Sequence, residues 1–111
     1  MFAETPEPPY VAVIFTSLRS PSDDAGYALT AERMMALAAG QDGFLGVESA
    51  RDATGLGITV SFWRDEAAVK AWKAVGEHMA AQKGGREKWY RAYKSRIATV
   101  SRDTSFHAKQ V

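Results

Sequence analysis

Residues 44–63, FLGVESARDATGLGITVSFW, read as two strands around a tight turn, and the rest of the chain can be placed outward from them. In the second strand Ile58, Val60 and Phe62 alternate with Thr59, Ser61 and Trp63, so one face is apolar and the other mixed. Asp52-Ala53-Thr54-Gly55 supplies the turn residues between them, which makes 44–51 and 56–63 an antiparallel hairpin. Gly55 and Gly57 have the composition of a phosphate-binding loop, but no lysine or helix start follows in the required place. The hairpin accounts for both glycines.

Beyond the hairpin, Asp65 is placed to cap a helix in which Glu66/Lys70 and Lys73/Glu77 form i,i+4 pairs on the outer face. At 100° per residue, Ala68, Trp72, Val75, Gly76 and Met79 fall on the opposite, buried face. Ala71, His78 and Gln82 lie at one edge of that stripe, between the core and whatever flanks the helix. Gly84-Gly85 ends the helix, and 91–102 (RAYKSRIATVSR) is the last strand. On the other side of the hairpin, Asp42-Gly43 forms a turn after a helix defined by Tyr27, Ala31, Met34 and Ala38, flanked by Leu37, opened by Pro21-Ser22-Asp23-Asp24 and stopped at Gly40. Before it, 10–18 (YVAVIFTSL) has almost no polar interruption, as expected of a central strand covered on both faces.

The order β-α-β-β-α-β predicts an α+β, ferredoxin-like domain, an antiparallel four-stranded sheet with both helices on one face. The domain runs over 10–106, with a proline-rich arm at 1–9 and a polar tail at 107–111 that holds His107. The second sheet face then needs cover, with Trp63 and Tyr93 among its candidate side chains. A homodimer stacked sheet to sheet, with a barrel-like interior, would bury it.

A chain of 111 residues falls in the range of one small domain with little room for a large private cavity, so oligomerisation is a natural extension of its core. With no cysteine, disulfides, thiolate nucleophiles and cysteine-held metals are excluded. The first ten residues carry two acids and three prolines where a secretory leader needs basic and then apolar residues. The longest apolar run, 11–15, is far short of the roughly 20 residues that cross a bilayer. A cytoplasmic protein with no membrane partner is expected. Charge is uneven: 1–82 hold 6 basic and 11 acidic side chains, whereas 83–102 hold 7 basic and 1 acidic. Such a basic field can draw an anionic ligand or simply offset the acidic body of the domain. Nucleic acid is not expected as a partner, because Gly57-Ile58-Thr59-Val60-Ser61-Phe62-Trp63 lacks the stacking pattern that RNA-binding domains of this topology need on the third strand.

Several segments together resemble the antibiotic biosynthesis monooxygenase family: Gly43-Phe44-Leu45-Gly46, Glu48-Ser49-Ala50-Arg51-Asp52, Ile58 to Trp63, Ala71-Trp72-Lys73, Glu77-His78, Ala81-Gln82 and Gly85-Arg86-Glu87-Lys88-Trp89-Tyr90. The resemblance spans about Tyr10 to Phe106 and is strongest to the family's uncharacterised bacterial branch. It implies a dimeric α+β barrel. It also implies two chemistries, oxidation of polycyclic aromatic substrates by molecular oxygen without metal or flavin, and heme degradation. The first uses polar groups such as Asn, Trp and Arg, and the second Asn, Trp and an axial His. This chain contains no asparagine, and Gln82, a poor heme ligand, stands ten residues after Trp72 where heme-degrading relatives have histidine. No cofactor and no metal are therefore expected.

The remaining candidate site is His78, Trp72, Gln82, Arg86, Trp89 and Tyr90. His78, titrating near neutral pH, is the candidate general base for a substrate phenol. Arg86 is suited to hold a phenolate or carboxylate by charge-assisted hydrogen bonds. Trp72 serves either the core or a ligand wall, and Trp89 and Tyr90 either pack the C-terminal segment or line a pocket. The expected function is binding of a small aromatic or quinone-like ligand with cofactor-independent monooxygenase activity, the alternative being a stress-related or structural binding dimer without turnover.

Overall fold

The computed structural model describes residues 2–83 and 88–109, and for 78–83 the backbone alone. Its elements are β1 (Tyr10–Arg19), α1 (Asp24–Ala39), β2 (Phe44–Arg51), β3 (Leu56–Trp63), α2 (Glu66–Lys83) and β4 (Tyr90–Val100). The strands form one antiparallel sheet in the order β2-β3-β1-β4. This is the ferredoxin-like arrangement, and the β2–β3 hairpin has the expected bounds.

Local chemistry sets the boundaries. Asp52 Oδ1 closes the hairpin turn by accepting from the Thr54 and Leu56 amides at 2.9 and 3.1 Å. Asp23, in the left-handed region at φ 54°, caps α1 by accepting from the Gly26 amide at 3.3 Å. Asp65 caps α2 by accepting from the Ala68 amide at 2.9 Å. Gly43 combines φ 86° with a close approach, since a Cβ there would lie 2.7 Å from that of Ala68.

The core is concentrated at one end of the sheet, where Val11, Ala38, Trp63, Ala68 and Val69 are buried together and Val13, Phe44 and Trp72 pack around them. Trp63 is fully buried, stacks on Trp72 at 5.6 Å, meets the edge of Phe44 at 5.3 Å, and donates its indole N–H to Ser61 Oγ at 2.8 Å. On α2, Val69 joins the buried face beside Ala68, while Trp72, Val75 and Gly76 are half-buried. The side chain of Met79 lies outside the described residues.

The assignment of sheet faces reverses one expectation. Trp63 and Tyr93 lie under the helices, not on the far face, because α2 begins immediately after Trp63 and its first two turns fold over that indole. The far face therefore carries the apolar alternation: Ala12, Ile14 and Leu18 of β1 and Leu56, Ile58, Val60 and Phe62 of β3. Leu56 and Ile58 are each 47% exposed. At one end of this face Tyr10 meets Phe62 edge-on at 5.8 Å, and its hydroxyl accepts from Thr5 at 3.2 Å and donates to Asp103 at 2.5 Å. The N-terminal arm and the segment after β4 thus meet over the end of the sheet.

Candidate functional site

Away from the core end, the helices stand off the sheet and leave a half-open cavity of about 580 Å³. Its floor can be read row by row from the strand register. Arg51, Gly57, Ser17 and Tyr93 cross the four strands in one row, followed by Ser49, Thr59, Phe15 and Ser95, then by Val47, Ser61, Val13 and Ile97. The next row, Phe44, Trp63, Val11 and Thr99, runs into the core. One end of the cavity is therefore cationic and hydroxylated and the other aromatic and apolar. Its roof is formed by Ala31, Met34 and Met35 of α1 and Trp72 and Gly76 of α2. A floor of hydroxyls under an apolar roof suits a ligand with both characters.

The polar end is built around Tyr27. Arg19, with a side chain 9% exposed, stacks its guanidinium on the Tyr27 ring at 3.7 Å, pairs with Asp24 at 2.8 Å and donates to the Trp89 carbonyl at 2.6 Å. Arg51 reaches from β2 across β3 to donate to Ser17 Oγ at 2.9 Å and Tyr27 Oη at 3.3 Å, and it also donates to the Gly55 carbonyl. Ser17 is only 2% exposed, so its bond to Arg51 satisfies a buried hydroxyl. Gly57 makes this path available. A Cβ on it would lie 2.6 Å from Arg51 Cζ. Tyr90 packs edge-on against Tyr27, Phe15 and Tyr93 at 6.0, 5.5 and 5.8 Å. Burial, with a hydrogen bond and the negative charge of a Tyr27 phenolate as further causes, raises the Tyr90 phenol well above the ordinary tyrosine range, and the nearby Arg51 and Arg19 offset this only in part. Tyr90 is thus a hydrogen-bond donor at neutral pH, not a base.

Of the residues singled out from sequence, Trp72, Trp89 and Tyr90 line this cavity. Trp89 is held firmly: its indole donates to Asp23 Oδ2 at 3.2 Å and its carbonyl accepts from Ser20 N at 2.9 Å and from Arg19. Lys88 Nζ lies 3.1 Å from the same Asp23 oxygen. His78 and Gln82 belong to α2 by backbone, but their side chains, and Arg86 altogether, lie outside the described residues. Arg51, Tyr27, Tyr93 and Ser17 were not among the site residues the sequence suggested. The signal available for Arg51 was Gly57 on the neighbouring strand, a glycine inside a strand marking close approach of another group. Among the described residues no cluster of three or more His, Asp or Glu side chains is arranged to hold a metal. No described helix is long and apolar enough to cross a membrane.

Comparison with known proteins matches residues 9–84 to the family described as antibiotic biosynthesis monooxygenase. The chain is 54% identical over 104 residues to the uncharacterised protein YqjZ of Bacillus subtilis, covering 94% of this chain and 90% of that one. It is 32% identical over 94 residues to a jasmonate monooxygenase of Pyricularia oryzae, covering 81% of this chain but only 43% of the larger protein. Among solved structures, PA3566 of Pseudomonas aeruginosa superposes with a TM-score of 0.67 at 20% identity, covering 89% of this chain and 99% of that one. SnoaB, a cofactor-independent oxygenase of Streptomyces nogalater, does so at 0.61 with 16% identity, covering 94% and 97%. At these identities the two structures establish the shared fold.

Proposed function

Because this chain belongs to the antibiotic biosynthesis monooxygenase family, we propose that it binds a small aromatic or quinone-like compound in the cavity between sheet and helices and oxidises it with molecular oxygen, without a cofactor. The observation that carries this reading is the cavity itself, about 580 Å³ with Trp72 in its roof and hydroxyls along its floor. That size and lining suit a two- or three-ring ligand. His78 follows Glu77, a residue of the cavity wall, and is the proposed base. It would take a proton from the substrate phenol or activated C–H. The resulting carbanion would pass electrons to oxygen and form a C–O bond, giving a peroxide, whose O–O bond then breaks as the same carbon loses its second proton and water departs. One oxygen atom is retained by the substrate, oxidised by four electrons overall, and the other leaves as water. Tyr90, protonated at neutral pH, would donate to the substrate oxygen as negative charge develops there.

The working unit on this reading is a homodimer in the cytoplasm. The apolar face formed by Ile14, Ile58, Val60 and Phe62 supports it, since stacking on a second copy removes that surface from water. A second reading, binding without turnover, is favoured by one feature: among the described residues, the only carboxylate in the cavity wall is Glu77.

Oxygen uptake with a panel of hydroxylated anthrones and naphthols, alongside calorimetric binding of the same compounds, tests both readings. Stoichiometric oxygen consumption that is lost in His78→Ala is the expected outcome. Tight binding without oxygen uptake would select the second reading, and neither binding nor uptake would overturn both. Equal turnover by wild type and His78→Ala would remove His78 as the base.

A further inference from the structure

Two guanidinium groups flank Tyr27, and their electrostatic situations differ. Arg19 is compensated by Asp24 at 2.8 Å and shielded under the Tyr27 ring. Arg51 has neutral partners: Ser17 Oγ, Tyr27 Oη and the Gly55 carbonyl. Among the described residues, ion pairs are made by Arg19, Arg64 and Lys88, and none by Arg51. Three of its five N–H groups are used by those bonds, which leaves Nε–H and one Nη1–H to donate. An uncompensated cation is thus held in one orientation in the wall of the ligand cavity, over a glycine whose missing side chain makes room for it.

We propose that the cavity selects ligands that carry a carboxylate at one end of an apolar or aromatic body, with Arg51 as the residue that recognises the carboxylate. The proposal rests on the reading that this cavity is the ligand site, and it adds the ligand's charge, orientation and length. Either remaining N–H group can donate to one carboxylate oxygen, and a charge-assisted bond of that kind is stronger than any bond a neutral hydroxyl could make there. The floor sets the direction. From the Gly57 row the lining passes through Ser49 and Thr59 to Val47, Val13 and Ile97, so the acid lies at Arg51 and the apolar body points toward Trp72. It also sets the length, because Gly57 and Ser61 are four residues apart on β3, roughly 13 Å at about 3.3 Å per residue. A two-ring aryl acid or a medium-chain fatty acid spans that distance. Arg86, the sequence's candidate for holding an anion, lies outside the described residues, and the role argued for Arg51 stands beside it.

Calorimetry with 4-biphenylacetate and with the isosteric neutral alcohol 2-(4-biphenylyl)ethanol tests this, using wild type, Arg51→Gln, Arg51→Lys and Gly57→Ala, each first checked for an intact melting transition. Wild type is expected to bind the acid at least ten-fold more tightly than the alcohol. Arg51→Gln should bring the acid down to the affinity of the alcohol while leaving the alcohol within two-fold. Arg51→Lys should keep part of the preference. Gly57→Ala should lose it with the charge still present, because its Cβ occupies the seat of the guanidinium. Equal affinity of wild type for acid and alcohol, or equal weakening of both by Arg51→Gln, overturns the proposal while leaving the cavity as the ligand site. Binding of neither compound overturns both.

Discussion

On the proposed sheet-to-sheet homodimer, replacing Ile58 by glutamate should leave a monomer with the single-chain fold nearly untouched. Ile58 is 47% exposed and stands on the sheet face away from both helices, so its side chain contributes little to packing within one chain. The exposed part amounts to roughly 80 Å² of apolar surface, which at about 25 cal/mol per Å² is worth about 2 kcal/mol when covered. A two-fold interface contains the residue twice, so the loss is about 4 kcal/mol, or nearly three orders of magnitude in the dissociation constant. Two carboxylates brought into the same apolar layer add a desolvation cost of the same sign. Sedimentation equilibrium between about 1 and 100 μM provides the measurement, with a thermal melt as the control for folding. Wild type should sediment as a dimer across the range and Ile58→Glu as a monomer with a nearly unchanged far-ultraviolet spectrum. A wild-type monomer at the highest concentration, or a variant that dimerises as tightly as wild type, would refute the assignment of this face to a second copy.

Trp63→Ala should destabilise the chain by about 3–5 kcal/mol in urea unfolding, since it removes a fully buried aromatic that stacks on Trp72 and packs against Phe44; a loss below 1 kcal/mol would show that the core end tolerates a void there. Acid titration of stability should separate wild type from Asp23→Asn. Hydrogen bonds from Lys88 and Trp89 hold the Asp23 carboxyl below its ordinary value, so its contribution is present above the unfolded value near 3.9 and disappears as pH falls through the lower folded value. The variant should therefore be less stable than wild type at pH 7, with the gap narrowing as pH falls below the unfolded value and through the lower folded one. A gap independent of pH would assign the effect to something other than the carboxylate charge.

The element order was legible because it depends on local signals. Alternation in 44–63, the aspartates at 23, 52 and 65, and the glycines at 40 and 43 act within a few residues of themselves, and the structure puts a turn or cap at each. The candidate site was legible only in part. Trp72, Trp89 and Tyr90 drew notice as bulky aromatics in one segment, and all three line the cavity. Arg51 and Tyr27 did not, since each is unremarkable in its own element and they become neighbours only when β2 and α1 are brought over the same end of the sheet.

Taken alone, the amino-acid sequence determined the α+β class, the order and bounds of the hairpin and the family of the chain, all of which follow from periodicity, turn chemistry and a linear pattern of residues. Only the tertiary structure decided which sheet face meets the helices. Alternation separates Ile58, Val60 and Phe62 from Thr59, Ser61 and Trp63 but gives no sign of which set lies inward, because both faces of this sheet need cover. The helices took the mixed face, where Trp63 anchors the core and the hydroxyls border a cavity, and left the apolar face outward. The same choice placed Arg51 over Gly57 and beside Tyr27, a juxtaposition made across three strands and a helix that no spacing along the chain encodes.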